Sequence, residues 1–379
     1  MVLALGAARP STGQRESLGR RFDPRRNHFD VMRLLLAGMV LLDHGVVLRT
    51  GDHRTWGRSA LGDFAVDAFF LLSGFLITRS YLSLGSLPRF TWHRVLRILP
   101  GFWVCLLVTA LVVAPVAALL DGRPATDAFT GRPSALRYVL ANAGLLITQY
   151  DIAGLLADNP VPAVFDGALW TLSLEAACYA LVGVLGALSV LRRARWAVPA
   201  LALVLWVLTL LQEAGVPVVL GDNTLRLVLA FLVGATAWLY ADRIPARPEL
   251  ALAAAVVLLV SIATLDNYRL AGMVPAGYLL FWLGTAAPLA RGSRPSRGPR
   301  ADLSYGVYIY HWPVLQLLAV TGLVALPVPV FVLLGAVLTL AVALASWRLV
   351  EHPALRQKNR SLPRPRRPAP QRAAPDREV

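Results

Sequence analysis

Residues 29–45 read FDVMRLLLAGMVLLDHG. The run is apolar enough to enter a bilayer, yet Asp30, Arg33, Asp43 and His44 sit in it or beside it. Ionisable groups at membrane depth are costly, so they usually face the interior of a bundle and serve a purpose there. Arg33 and His44 are eleven residues apart. At about 100° and 1.5 Å per residue, a helix returns them to nearly one face, about 16 Å apart along its axis. The plainer alternative is an arginine that snorkels to the surface and a histidine that merely packs. Asp43 adjoins His44, and adjacent helical residues do not face each other, so it is poorly placed to orient that ring.

The rest of the chain fits this beginning. Of 379 residues, 56% are hydrophobic and only 16% charged, and the mean hydropathy is +0.58. A soluble domain of this length carries more charge and no repeated apolar runs. Here such runs, about 17–23 residues each, recur along most of the chain, a length that spans a hydrocarbon core as a helix. The composition predicts an all-α, polytopic membrane protein with about ten transmembrane helices. They fall near 31–49, 64–84, 98–120, 168–190, 197–213, 224–240, 249–265, 272–290, 303–322 and 328–349. The segment 135–150, ALRYVLANAGLLITQY, is shorter and more polar, and reads as re-entrant or interfacial. Cys105 and Cys178 lie in apolar runs and read as small buried hydrophobes rather than a disulfide pair.

The net charge of +15 does not point to nucleic acid, because of where it lies. Residues 1–28 hold six arginines against two acids, RGSRPSRGPRAD (291–302) four against one, and residues 356–379 seven arginines and one lysine against two. These pieces flank apolar runs, so the positive-inside rule and anionic lipid account for them. With both termini cytoplasmic, the inner loops LGSLPRFTWHRVLR, LRRAR and ADRIPARP are also arginine-rich, whereas the outer GLLADNPVPAVFDG and EAGVPVVLGDN lack Arg and Lys. The first outer loop, with three arginines, is the weak point of this orientation. The predicted organisation is a basic cytoplasmic segment (1–28), a membrane domain (29–355) and a disordered basic cytoplasmic tail (356–379) in a multi-pass protein of the cell membrane.

Further polar islands interrupt the apolar runs. VDAFFLLSGFLIT carries Asp67 and Ser73; HRVLRILPGFW carries Arg94 and Arg97; LWTLSLEAACYAL carries Glu175. DLSYGVYIYHWPVL carries Tyr308 and His311, and SWRLVEHPAL ends on Glu351. The arginine pair also reads as plain inner-loop charge. Glu175 is hardest to explain blandly, because an unpaired carboxylate at that depth is expensive.

Taken in order, these islands resemble the acyltransferase-3 family of integral-membrane O-acyltransferases. The resemblance rests on FDVMR with Arg33-x10-His44, DAFFLLSGFLIT, Arg-x2-Arg in HRVLRILP, LWTLSLEAACY, RLVLAFLVGA, LSYGVYIYHWP and SWRLVEHP, running from Phe29 to Leu355. His93 stands where the family often has another arginine, EAACY replaces a Glu-x-x-Phe-Tyr pattern, and the esterase-like domain of some members is not seen. The resemblance implies transfer of an acyl group, commonly acetyl, from cytoplasmic acyl-CoA to a hydroxyl of a glycan or glycosylated small molecule. It implies His44 as the catalytic histidine, Arg33 as its motif partner, and Arg94 and Arg97 at the acyl-CoA entrance.

Acyl transfer from a thioester to an alcohol needs a base for the hydroxyl proton and donors for the carbonyl oxygen. His44 suits the first task as a neutral imidazole. Arg33, Arg94 and Arg97 are placed to hold CoA phosphates, and the interval from Arg33 to His44 is comparable to a pantetheine arm. Glu175, counted from the outer end of its span, is level with His44 and is expected to orient it. Tyr308 and His311 are expected along the acyl-CoA path, with Asp30, Asp67, Ser73 and Glu351 in supporting roles. No metal-ligand spacing is present, and no permanently bound cofactor is implied; acyl-CoA is a co-substrate. The rival reading is a transporter or glycan-moving protein that uses its buried charges as a relay.

Overall fold

A computed structural model describes residues 16–286 and 301–359. Among them are ten long helices: α1 Phe29–Thr50, α2 Leu61–Leu84, α3 Leu87–Leu120, α4 Thr171–Ala187, α5 Ala197–Glu213, α6 Asp222–Leu239, α7 Pro248–Thr264, α8 Arg269–Ala286, α9 Ser304–Val320 and α10 Val328–Arg356. Each overlaps a predicted span, but α3 begins at Leu87 rather than near 98, so most of the expected inner loop LGSLPRFTWHRVLR is helical. Four of them, α1, α2, α3 and α10, are long and apolar enough to cross a membrane by length and composition. Apart from shorter helices and helical turns, the only other regular element among the described residues is a two-stranded hairpin, Thr55–Trp56 with Ser59–Ala60.

At the centre lies α9, with fourteen of its seventeen residues buried. A helix apolar around its whole circumference belongs inside a bundle. It packs against α1, α10 and α3, while α2 lies between α1 and α6. Small residues allow the closest crossing. A Cβ on Gly74 of α2 would collide with the Phe231 carbonyl, and one on Gly234 of α6 with the Leu71 carbonyl. This is the small-residue packing that brings membrane helices into backbone contact. Asp67, fully buried on α2, fastens the same region: its carboxylate accepts from Arg226 Nη1 (3.1 Å), Tyr268 Oη (2.8 Å) and Arg269 Nε (2.6 Å). It thereby ties α2 to α6 and to the start of α8.

Two helices contain a π-helical turn, Thr109–Val113 in α3 and Trp347–Glu351 in α10. Each ends two residues before a proline, Pro115 or Pro353. Proline cannot donate to the carbonyl four residues back and its ring crowds that carbonyl, so a wider turn is a local way to continue the helix.

Between α3 and α4, Ala135–Asn142 is a short helix and residues 143–170 are irregular. The sequence suggests an outer loop for GLLADNPVPAVFDG (154–167), but Leu155, Leu156, Phe165 and Asp166 are buried, as is Ile152 just before it. The segment lies along α9, where Trp312 donates to the Val164 carbonyl (3.0 Å) and Gln316 to the carbonyls of Val161 and Val164 (2.9 and 2.7 Å). Irregular backbone at depth requires such partners. One consequence is that α4 begins only at Thr171, after the chain has already run along α9 from Gln316 to Tyr308.

The basic N-terminal segment is docked from residue 16 onward: Leu18 is fully buried, and its amide donates to the Ile244 carbonyl. Residues 1–15 lie outside the described residues. Of the expected disordered tail, 356–359 is folded, ending in the 3-10 turn Gln357–Asn359; the remainder lies outside the described residues.

Candidate active site

Helix α1 does bring Arg33 and His44 to one side, and each meets α9 or the residues just before it. Arg33 Nη1 lies 3.4 Å from Asp302 Oδ2. His44 Nδ1 lies 2.7 Å from His311 Nε2, with the rings 13° from parallel, and Trp312 stands edge-on to His44 at 4.8 Å.

The hydrogen bonds fix the tautomers. His311 Nδ1 lies 2.7 Å from the Tyr308 carbonyl and 3.2 Å from that of Val307. A carbonyl only accepts, so Nδ1 of His311 carries the proton. In the neutral ring Nε2 is then an acceptor, and His44 must donate to it through Nδ1. That leaves the lone pair of His44 on Nε2. His311 is fully buried, whereas His44 keeps some exposed surface. One ring is therefore fixed, and it fixes the other in the sense of a base and its orienting partner.

Below the pair, a cavity of about 370 Å³ opens among α1, α2, α3, α4, α9 and α10. Tyr308 marks its deep end. The Tyr308 hydroxyl pairs with Thr171 Oγ1 at 2.6 Å, and its ring centroid is 6.1 Å from that of His311. His44 is one ring beyond and is not among the lining residues. The other walls carry Arg33, Arg79, Arg94, Arg97 and Lys358, with Glu175 and Asp302 as the carboxylates. Ser73 also lines the cavity, and its buried hydroxyl has no hydrogen-bond partner.

Asp302 organises the mouth. It takes Arg97 Nη2 at 2.5 Å as well as Arg33, and Ser304 Oγ donates to it at 2.5 Å. Burial opposes its charge, but the Arg97 and Arg33 guanidiniums and the Ser304 bonds hold its carboxyl well below the usual carboxylate range. Arg97 also reaches Glu351 at 4.0 Å and lies over the Tyr305 ring. The π turn in α10 ends on Glu351, whose other oxygen accepts from Ser346 at 3.1 Å.

The structure thus unites Arg33, Arg94, Arg97, Glu175, Ser73 and Tyr308 around one cavity and pairs His44 with His311. It does not bring Glu175 to His44. Glu175 accepts from Tyr179 at 2.5 Å, on the cavity wall shared with Arg94. The reason is the late start of α4: counting from residue 168 as an outer end sets Glu175 too shallow. Asp43 turns towards His53, 3.6 Å away, and Asp67 belongs to the separate ion network. Asp30 is exposed in the first turn of α1, where a carboxylate suits the helix dipole.

Sequence reasoning missed Asp302, Arg79, Lys358 and Tyr179. Asp302 had a usable signal, a lone acid in an arginine-rich loop just ahead of SYGVYIYHW.

Comparison with known proteins adds three findings. The profile of a family described as "Acyltransferase domain" matches residues 26–348. "Nodulation protein 10" of Rhizobium leguminosarum bv. viciae is 29% identical over 87% of this chain and 94% of its own length. "O-acetyl transferase" of Shigella phage Sf6 is 28% identical over 86% of this chain and 95% of its own length. No solved structure matches significantly.

Proposed function

The chain belongs to this acyltransferase family, and we propose that it moves an acetyl group from cytoplasmic acetyl-CoA to a hydroxyl of a glycan or glycosylated small molecule. Membership in an enzyme family favours this reading over a transport role for the buried charges. The name of the phage relative supports acetyl as the group and oxygen as its destination. The observation that carries the reading is the course of the cavity, from a rim of cations to Tyr308, beside a histidine pair whose outer member has a free Nε2.

His44 is the general base in this account. Nε2 takes the proton as the acceptor oxygen attacks the thioester carbonyl carbon. The tetrahedral intermediate collapses with loss of the CoA thiolate, which takes that proton back from Nε2, giving ester and free CoA thiol. Throughout, Nδ1–H stays on His311, so the ring keeps its orientation while its charge changes. His311 is a positioning residue here, held by the Tyr308 carbonyl. Ser73 Oγ offers a donor along the pantetheine path. The cations at the rim hold the phosphates.

The same reading makes residues 29–355 the acyltransferase domain, with all ten helices crossing the membrane and both termini cytoplasmic. The arginine-rich inner loops, and the outer stretches GLLADNPVPAVFDG and EAGVPVVLGDN that lack Arg and Lys, support that orientation.

The test is transfer by purified protein from radiolabelled acetyl-CoA to candidate glycosylated acceptors, wild type against His44→Ala. Labelled ester from wild type alone is the expected result. Equal labelling by the variant removes His44 from the mechanism.

A further inference from the structure

The cations around the cavity are not equivalent. Arg33 and Arg97 share Asp302, and Arg97 has Glu351 besides. These guanidiniums face carboxylates and are largely neutralised. Arg79, Arg94 and Lys358 line the same cavity and make no ion pair with any carboxylate among the described residues.

Two of the three are held by aromatic rings, and none has a carboxylate at ion-pair distance among the described residues. Arg79 lies over the rings of Phe22 and Trp238, at 4.9 and 5.8 Å. Arg94 lies over Phe90 and Tyr179, at 5.8 and 5.6 Å, and its buried Nε has no hydrogen-bond partner. Glu175, on the same wall, is engaged by Tyr179. Lys358 comes from the turn after α10. Burial, then the Arg94, Arg97 and Arg33 guanidiniums, push its ammonium down to about 8. Cations packed together at a cost, with an unused donor among them, suit a multiply charged anion that repays both.

Resting on the acyl-CoA reading above, we infer that Arg79, Arg94 and Lys358 form the phosphate-binding site for the donor. Arg33 and Arg97, clamped by Asp302 and Glu351, are the frame beside it. The arginine pair of HRVLRILP is thus divided: Arg94 binds, and Arg97 braces. The turn after the last long helix becomes part of the donor site.

Lys358 is the only lysine in the chain, which gives a direct probe. Full-length protein in nanodiscs is reductively methylated with formaldehyde and cyanoborohydride, and Lys358 is followed by peptide mass spectrometry, with the terminal amine as internal control. Saturating acetyl-CoA should slow methylation of Lys358 by about tenfold or more, whereas S-acetylpantetheine, which lacks phosphate, should not. Lys358→Gln and Arg79→Gln should each weaken acetyl-CoA binding about tenfold, the scale of one charged hydrogen bond. Both should shrink the preference for acetyl-CoA over S-acetylpantetheine, and Lys358→Arg should restore it. If wild type binds acetyl-CoA without protecting Lys358, and both glutamine variants bind equally well, this site is wrong while the acyl-CoA reading stands. If wild type acylates an acceptor from another donor and binds no acetyl-CoA, both fall.

Discussion

Because His311 is held by backbone carbonyls, His44 has Nδ1 committed and Nε2 available. Two variants separate these roles. His44→Ala should lower turnover by about 10²–10⁴, the usual contribution of general base catalysis, with protein levels and acetyl-CoA affinity retained. His311→Ala should lower kcat while leaving KM for acetyl-CoA near wild type, since it frees the His44 ring without touching the donor. His311→Gln keeps an acceptor for His44 Nδ1 and should recover part of the loss. A KM effect as large as the kcat effect in His311→Ala would make His311 a donor-binding residue instead. Lys358 carries a pH prediction. It faces Arg33, Arg94, Arg97, Asp302 and the His93 ring. Its charge is present below about 8 and lost above, so acetyl-CoA affinity should fall as pH rises through that value. Titration calorimetry should show the fall in wild type and a flat profile in Lys358→Arg, whose guanidinium stays charged. At this scale the sequence exposed the two ends of α1, because Arg33 and His44 share a helix and helical spacing is readable. It could not pair His44 with His311, 267 positions away, nor divide Arg94 from Arg97, because that depends on where Asp302 and Glu351 fold.

Among the helices, the α2–α6 crossing should be the least tolerant of added volume. Gly74→Val or Gly234→Val puts carbon into a facing carbonyl, and overpacking of this kind costs about 1–3 kcal/mol or more. Either variant should lower the thermal midpoint in detergent and the yield of folded protein; a midpoint equal to wild type would mean that the crossing is looser than described. The periodicity located all ten long helices because apolar runs of bilayer length leave few alternatives. It misjudged what joins α3 to α4. Buried irregular backbone has no period, and its partners, Trp312 and Gln316, belong to a distant helix. Glu175 was misplaced for the same reason, since depth was counted from a helix start that the structure puts later.

On the scale of the whole molecule, two charged assemblies hold the bundle. The Asp67 network joins α2, α6 and α8, and Asp302 with Glu351 joins α1, α3, α9 and α10. Removing one partner of a buried ion pair typically costs about 3–5 kcal/mol. Asp67→Ala should therefore unfold early without a specific effect on KM, which thermal unfolding and donor titration together would reveal. The charge asymmetry visible in the sequence bears on orientation in the membrane but says nothing of the bundle's interior. The cavity exists only because α1, α2, α3, α4, α9 and α10 converge, and no local pattern records that convergence. Its course from cations to histidines is the centre of the account, and a structure of the full-length protein with a non-transferable thioether analogue of acetyl-CoA tests it most directly. The account predicts phosphates beside Arg94 and Lys358, and the acetyl carbonyl carbon past Tyr308, within reach of an acceptor oxygen hydrogen-bonded to His44 Nε2. An analogue bound elsewhere, or one whose acetyl end stays on the far side of Tyr308 from the histidine pair, would contradict it.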